Sequence, residues 1–462
     1  MKKTLITNGL IVTVDETFTG SVLIEDGVIA DVIRSNEIPE ADEIIDADGF
    51  YIIPGAIDPH VHMELETPYG TSCDDFYSGT KAALAGGTTT IIDFITPGKG
   101  EKMADALKKR KKAAAKSLID YGLHASFVNW NDHTEREIDD CIRNHGISSF
   151  KLYLAYQKSI GIDDKQLALI MEAVGNAGGM VMLHCEDDAL ITHLQKKYLS
   201  EGKTAPEWHP KSRPVEAEAT AVLKAISYAK ILNCPLYIVH VSGAPSIQLI
   251  AEAQDSGIRV LAETCPQYLL LDEQVYSQSF AASAKFVMSP PLRGSFDRFK
   301  LWKALKDKTI SVVATDHCPF NFEGQKANGA ENFTLIPNGA GGVEHRPALL
   351  FTSGVLPNRL SLNDWVALIS TNPARIFGLS HKKGAIQPGL DADIVIWNPD
   401  KKHIISAKNH YQRCDSNIYE GLATKGAPEM VLLKGKIVFS KNEFYLDGIQ
   451  GEYLNRQKPI ME

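Results

Sequence analysis

The first stretch of the chain alternates apolar runs with turn pairs. TLITNGLIVTV, SVLIEDGVIADVI and EIIDADGFYIIPG read as short strands joined by Asn-Gly and Asp-Gly, the pairs that suit tight hairpins. From Pro54 the pattern changes to apolar strands separated by segments such as ADALKKRKKAAAKSLIDYG and DKQLALIMEAVGNAGG, whose apolar residues recur at helical spacing. Strand candidates follow one another as AIDPHVH, GTTTIIDFI, LHASFVNW, SSFKLYLAY, GGMVMLHCED, PLYIVHVSG, RVLAETCPQ and ISVVATDHCPF. Alternating strands and helices imply a parallel sheet, and this series fits an α/β fold of the TIM-type (β/α)8 barrel kind, with a doubly wound open sheet as the alternative. After about residue 380 the β signals return in KGAIQPGLDADIVIWNP and MVLLKGKIVFSKN. The expected organisation is a catalytic barrel over 54–380 and a small β-sandwich formed from both chain termini, 1–53 with 381–462. The polar tail from Asp447 to Glu462 either embraces a neighbouring subunit or is disordered.

Composition narrows the class. At 462 residues, with 44% hydrophobic and 23% charged positions, the chain is an ordinary globular protein able to bury a large core. A net charge of -9 argues against a general nucleic-acid surface, which needs concentrated Lys and Arg. The opening MKKTLITNGLIVTVDE lacks the continuous apolar centre of a signal peptide, and no segment reads as a membrane span, so the expected location is cytoplasmic. Cysteines 73, 141, 185, 234, 265, 318 and 414 are odd in number, scattered and without a CxxC pair, so they read as reduced packing residues.

The chemistry lies at the strand ends. His60 and His62, two apart on an extended strand, point to the same side. His184, His240 and Asp316 end the fifth, sixth and eighth candidate strands, which places all of them at the face where such barrels build active sites. Any one alone is more simply a hydrogen-bonded core histidine or a helix cap; their convergence points to zinc or a similar divalent ion. Lys151 interrupts the apolar strand SSFKLYLAY, where a buried ammonium needs a carboxylate partner or must lose its charge. Beside the histidines the second route is favoured, because a neutral amine captures carbon dioxide as a carbamate, an anionic ligand able to bridge two cations.

With these residues in view, DPHVH, FKLYLAY, HCED, VHVSG and ATDHCPF resemble the ordered metal motifs of the cyclic-amidohydrolase branch that contains hydantoinases and dihydropyrimidinases, over essentially the whole chain. The resemblance implies two divalent metal ions, with His60, His62 and Asp316 on one, His184 and His240 on the other, and carboxylated Lys151 bridging them. It implies a substrate-binding set of Tyr156 in KLYLAY, Ser289 in VMSPPLR and Asn338 in IPNGAGG, and a pocket gate of Met63, Leu65, Tyr153 and Ile160. Two positions depart from the family pattern: Gly341 stands where proline is more usual, and Cys185 where many relatives have alanine. The implied reaction is hydrolytic opening of a small cyclic ureide, with Asp316 moving the proton and Tyr156 stabilising the oxyanion, in a homotetramer. Allantoinase and dihydroorotase share the metal site. HxH followed here by MELETP offers no cation to grip a dihydroorotate carboxylate, and Tyr156, five residues after Lys151, favours the hydantoinase or dihydropyrimidinase reading over allantoinase. A non-catalytic assembly protein, as among the collapsin-response-mediator relatives, is the alternative of another class; every ligand position filled here counts against it.

Overall fold

The computed structural model describes residues 2–35 and 39–461. The N-terminal strands are β1 (Lys3–Val12), β2 (Thr17–Glu25), β3 (Val28–Ile33), β4 (Glu43–Asp46) and β5 (Tyr51–Pro54). The barrel region carries β6 (Ala56–Val61), a two-stranded hairpin of β7 (Glu66–Thr67) and β8 (Gly70–Thr71), then β9 (Thr88–Ile95), β10 (Asp120–Ser126), β11 (Ser149–Tyr153), β12 (Met180–His184), β13 (Leu236–Ile238), β14 (Val260–Thr264) and β15 (Val312–Val313). The chain ends with β16 (Ile394–Ile404), β17 (Ala423–Leu433), β18 (Lys436–Ser440) and β19 (Glu443–Phe444).

The expected strands are all present, and they form one parallel sheet in the order β15-β14-β13-β12-β11-β10-β9-β6. What separates a barrel from an open sheet is the contact between its ends. His317, just past β15, forms a parallel bridge with Val61 on β6, and the His62 amide donates to the His317 carbonyl at 2.8 Å. The sheet therefore curls until its eighth strand meets its first, and the doubly wound alternative falls away. Ile57, Ile92, Phe94, Met180, Met182, Tyr237, Val239, Val312 and Ala314 come from these strands and strand ends and pack as one apolar cluster, separate from the larger apolar layer. That is the filled interior of a barrel, a packed core and not a pore.

Both ends of the chain meet in a second, mixed sheet of order β19-β18-β17-β16-β5-β1-β2-β3, with β4 alongside β1. The β2–β3 turn shows why Asp-Gly was a usable signal: Asp26 and Gly27 both take positive φ (49° and 85°), as a type I′ hairpin demands. A buried ion cluster ties the terminal region to the barrel. Lys383 Nζ lies 2.7 Å from Asp120 on β10, 2.9 Å from Asp391 and 2.7 Å from Asp393.

The tail is ordered and docks on its own barrel, against the expectation of a disordered terminus. The Tyr121 amide donates to the Glu452 carbonyl (2.9 Å), Leu454 returns the bond to Tyr121 (2.8 Å), and the Arg456 amide reaches the Gly146 carbonyl (3.1 Å). Gly146 has φ 60°, and a Cβ there would stand 2.6 Å from the Arg456 nitrogen, so only glycine admits the tail at this point. Leu454 joins the barrel's inner cluster, and Arg456 Nη2 donates to Leu123 O and Ser149 Oγ beneath it.

Candidate active site

The strand ends bring the charged residues together. His60 is the fifth residue of β6 and fully buried; His62 lies one residue beyond the strand, its ring stacked on Phe94 with centroids 4.7 Å apart. Their Nε2 atoms stand 3.2 and 3.1 Å from one and the same oxygen, Asp316 Oδ1. Asp316 takes positive φ (53°) as the chain turns out of β15, and His240 does the same (41°) after β13. Non-glycine residues in this region store strain, a cost that recurs where a side chain must be aimed at a site.

On the other side His184, the last residue of β12, presents Nδ1 to His240 Nε2 at 3.0 Å while its Nε2 is held by Glu186 at 2.8 Å. Lys151, in the middle of β11, is 1% exposed, with its ammonium 5.2 Å from the Phe94 and Tyr153 ring centroids. Its charge acts on His60, His184, His240 and Asp316 alike.

Electrostatics prepares these residues as ligands. Burial, reinforced by Lys151 and neighbouring imidazoles, pushes His60 and His240 well below the usual histidine range, so both are neutral and can offer a lone pair. Burial pulls Lys151 down to about 8 against the attraction of Asp316 and Glu263, so a reactive share of neutral amine exists near neutral pH. Burial alone would raise Asp316; the adjoining His60, His62 and Lys151 bring it to about 2, so it is an anion.

The residues fit a metal centre on the geometry of this structure. One ligand atom from each of His60, His62 and Asp316 lies within 4.8 Å of the others, and the buried His60 Nε2 and His240 Nδ1 have no hydrogen-bond partner. A buried imidazole nitrogen without a partner is costly, and a divalent cation satisfies it.

Around this centre, Tyr156 stands with its ring 5.4 Å from that of His184, in positive φ (65°), beneath the Arg213 guanidinium at 5.3 Å. Burial raises its phenol, partly offset by Arg213, so the hydroxyl remains a donor. Ser289 Oγ and Asn338 Oδ1 are buried without hydrogen-bond partners. Of the gate candidates, Tyr153 lies beside His184 at 6.0 Å, Leu65 and Ile160 are half-buried, and Met63 is fully buried in the main core against Gly79. Gly341 and Cys185 sit outside the ligand set; Cys185 is buried in the same core.

Several residues that shape the site went unnoticed in the sequence. Glu263, at the end of β14, holds His60 Nδ1, accepts from Tyr237 Oη at 2.9 Å and from the His240 amide at 3.3 Å. Glu186 pairs with Arg213 as well as His184; burial opposes its charge, but these partners bring it to about 2. Asp74 and the Gly342 amide each hold one nitrogen of His317, both at 3.1 Å. Such partners fix the tautomer and orientation of ligating or supporting rings. Glu263 carried the same signal as Lys151, a charged residue inside an apolar strand.

Comparison with known proteins agrees with this geometry. Residues 51–438 match the amidohydrolase family, and the chain belongs to it. It is 41% identical over 457 residues to the D-hydantoinase of Geobacillus stearothermophilus, spanning 98% of this chain and 96% of that one. It is 37% identical over 451 residues to the dihydropyrimidinase of Arabidopsis thaliana, spanning 97% and 85%. The crystal structure of the dihydropyrimidinase from Brevibacillus agri superposes with a TM-score of 0.97 at 38% identity, covering 99% of both chains. Within its family the protein is a cyclic amidohydrolase of the D-hydantoinase/dihydropyrimidinase type.

Proposed function

We propose that the site hydrolyses the cyclic amide of 5-substituted hydantoins or 5,6-dihydropyrimidines, releasing N-carbamoyl amino acids or their β-homologues. The observation that carries this reading is Lys151, fully buried among neutral imidazoles and the Asp316 carboxylate, together with relatives named for these two substrate classes. His60, His62 and Asp316 would hold one divalent ion and His184 and His240 a second, with Lys151 carried as a carbamate between them; the donor set suits zinc. Bound there, two such ions supply Lewis acidity toward the carbonyl and acidify water.

The chain's own groups do the rest. The Asp316 carboxylate takes the proton of the attacking water and returns it to the ring nitrogen as the C–N bond breaks, so one water is consumed and no redox partner is needed. The Tyr156 hydroxyl donates to the carbonyl oxygen as charge grows on it. Main-chain groups at Ser289 and Asn338 hold the planar ureide edge. Leu65, Tyr153 and Ile160, with Met63 packed beneath, border the exocyclic substituent. The two functional units are 54–380 and the pair 1–53 with 381–462, and the working form is a cytoplasmic homotetramer; among the described residues no helix is long and apolar enough to cross a membrane.

The test is kcat/KM for dihydrouracil, a 5-substituted hydantoin, allantoin and dihydroorotate, with metal-replete and chelator-treated protein. Opening of either of the first two, lost on metal removal, is the expected result. Preference for allantoin or dihydroorotate would overturn the substrate assignment, and turnover that survives complete metal removal would overturn the mechanism.

A further inference from the structure

Lys326 is, after Lys151 and Lys383, a third buried lysine, and the proposed chemistry leaves it unused. It opens a short 3-10 turn, Lys326–Gly329, in the excursion after β15, and is 1% exposed. Its Nζ donates to the carbonyls of Val287 and Pro337, each at 2.9 Å. Val287 lies two residues before Ser289, and Pro337 immediately precedes Asn338. Two pieces of chain far apart in sequence, one following β14 and one following β15, are thus tied at a single nitrogen.

The tie is well supported. The Gly339 amide also donates to Val287 O (3.1 Å), and His209 Nε2 bonds the next carbonyl, Met288 O, at 2.7 Å. The titratable groups that face the amine are the thiols of Cys414, Cys318 and Cys73 and the buried His209 imidazole, with no carboxylate among them. Burial without a carboxylate partner lowers it to about 7, and a neutral amine carries two N–H donors for the two carbonyls it meets. Buried main-chain carbonyls need such partners, and a residue that satisfies two of them at once sets their separation.

We propose that Lys326 is a positioning residue that fixes the spacing between the Ser289 and Asn338 segments and thereby the cradle for the ureide edge. The inference rests on the substrate reading given above. Lys326 touches neither the metal ligands nor the reacting atoms, so its loss acts on binding common to ground and transition states, which changes KM more than kcat.

The test uses the metal-replete full chain with dihydrouracil and a 5-substituted hydantoin. Lys326→Met, close in shape but without donors, is expected to raise KM on the order of tenfold while kcat stays within roughly threefold and metal content is unchanged. A merely structural role would lower the thermal midpoint and the yield of active enzyme without moving KM. An unchanged KM in folded, metal-replete K326M, or a loss that falls on kcat and metal content together, would overturn the proposal. Should K326M fail to fold, K326R, which keeps donors but displaces them, is judged by the same split between KM and kcat. If the wild-type holoenzyme opens neither ring, the substrate reading itself fails; if it opens one and the variants match it, only the role of Lys326 fails.

Discussion

Glu186 accepts from His184 Nε2 at 2.8 Å, and this turns the opposite ring nitrogen toward His240 Nε2, 3.0 Å away. The carboxylate chooses which face of the imidazole is offered to a cation, and Arg213 on its other side keeps it ionised.

Glu186→Gln keeps the shape and removes the charge. Metal affinity should fall by about tenfold or somewhat more, the usual effect of losing such a partner, as read by competition with a graded series of chelators. Unchanged affinity would mean that the His184 ring is held by packing alone.

Lys151→Met retains the stem and removes the amine. The holoenzyme should lose metal relative to wild type, and ring opening should drop by three orders of magnitude or more, on the order of what an essential catalytic unit supplies. Elemental analysis beside the rate assay decides it: a fully active, metal-replete variant sinks the carbamate.

Tyr156→Phe removes one donor aimed at the carbonyl oxygen. The expectation is a fall of ~10²–10³ in kcat with metal content intact. A change confined to KM would assign the tyrosine to binding instead.

Glu344 gives a pH prediction away from the metals. Its carboxyl accepts from the Tyr411 amide at 2.8 Å, and burial raises it to about 8 against that bond. An acid raised in the folded state binds more protons folded than unfolded between its free value of about 4.3 and 8, so its contribution to stability falls as pH climbs through that window. Glu344→Gln cannot ionise. Its stability relative to wild type should therefore rise from pH 5 to pH 8, by roughly 3–4 kcal/mol, in denaturant midpoints taken across that range. A pH-independent difference would show that Glu344 is ionised throughout.

The parts of this site that were legible in the sequence are those whose chemistry conflicts with their local pattern. Lys151 inside FKLYLAY and the HxH pair ending β6 stand out because an apolar strand has no ordinary use for them. The strands were equally legible, since each is an apolar run set off by helical spacing. Glu186, Arg213 and Lys326 were not, because their roles depend on partners 27 residues away for Glu186–Arg213 and 39 and 11 for the Lys326 carbonyls, brought near only by the closed barrel. Glu263 was overlooked for a different reason: a glutamate near a strand end ordinarily reaches solvent, and only its bond to His60 assigns it. Met63, next to His62 in the sequence, has its amide held by Asp93 Oδ2 at 2.8 Å and its side chain buried in the core beside Gly79. The tail was illegible because its composition is polar while its anchors are main-chain groups at Tyr121 and Gly146.

The junction of β5 with β16 bears on how the molecule is made. Ile52, Ile53 and Pro54 pair antiparallel with Ile396, Val395 and Ile394, so the outer edge of β5 finds its partner only after the whole barrel has been synthesised. Until then the nascent chain carries an apolar strand with an open row of amides and carbonyls, the feature through which sheets recruit unrelated strands. Growth conditions that slow translation or crowd the ribosome should therefore tell on yield more than on the finished enzyme, whose two ends seal each other.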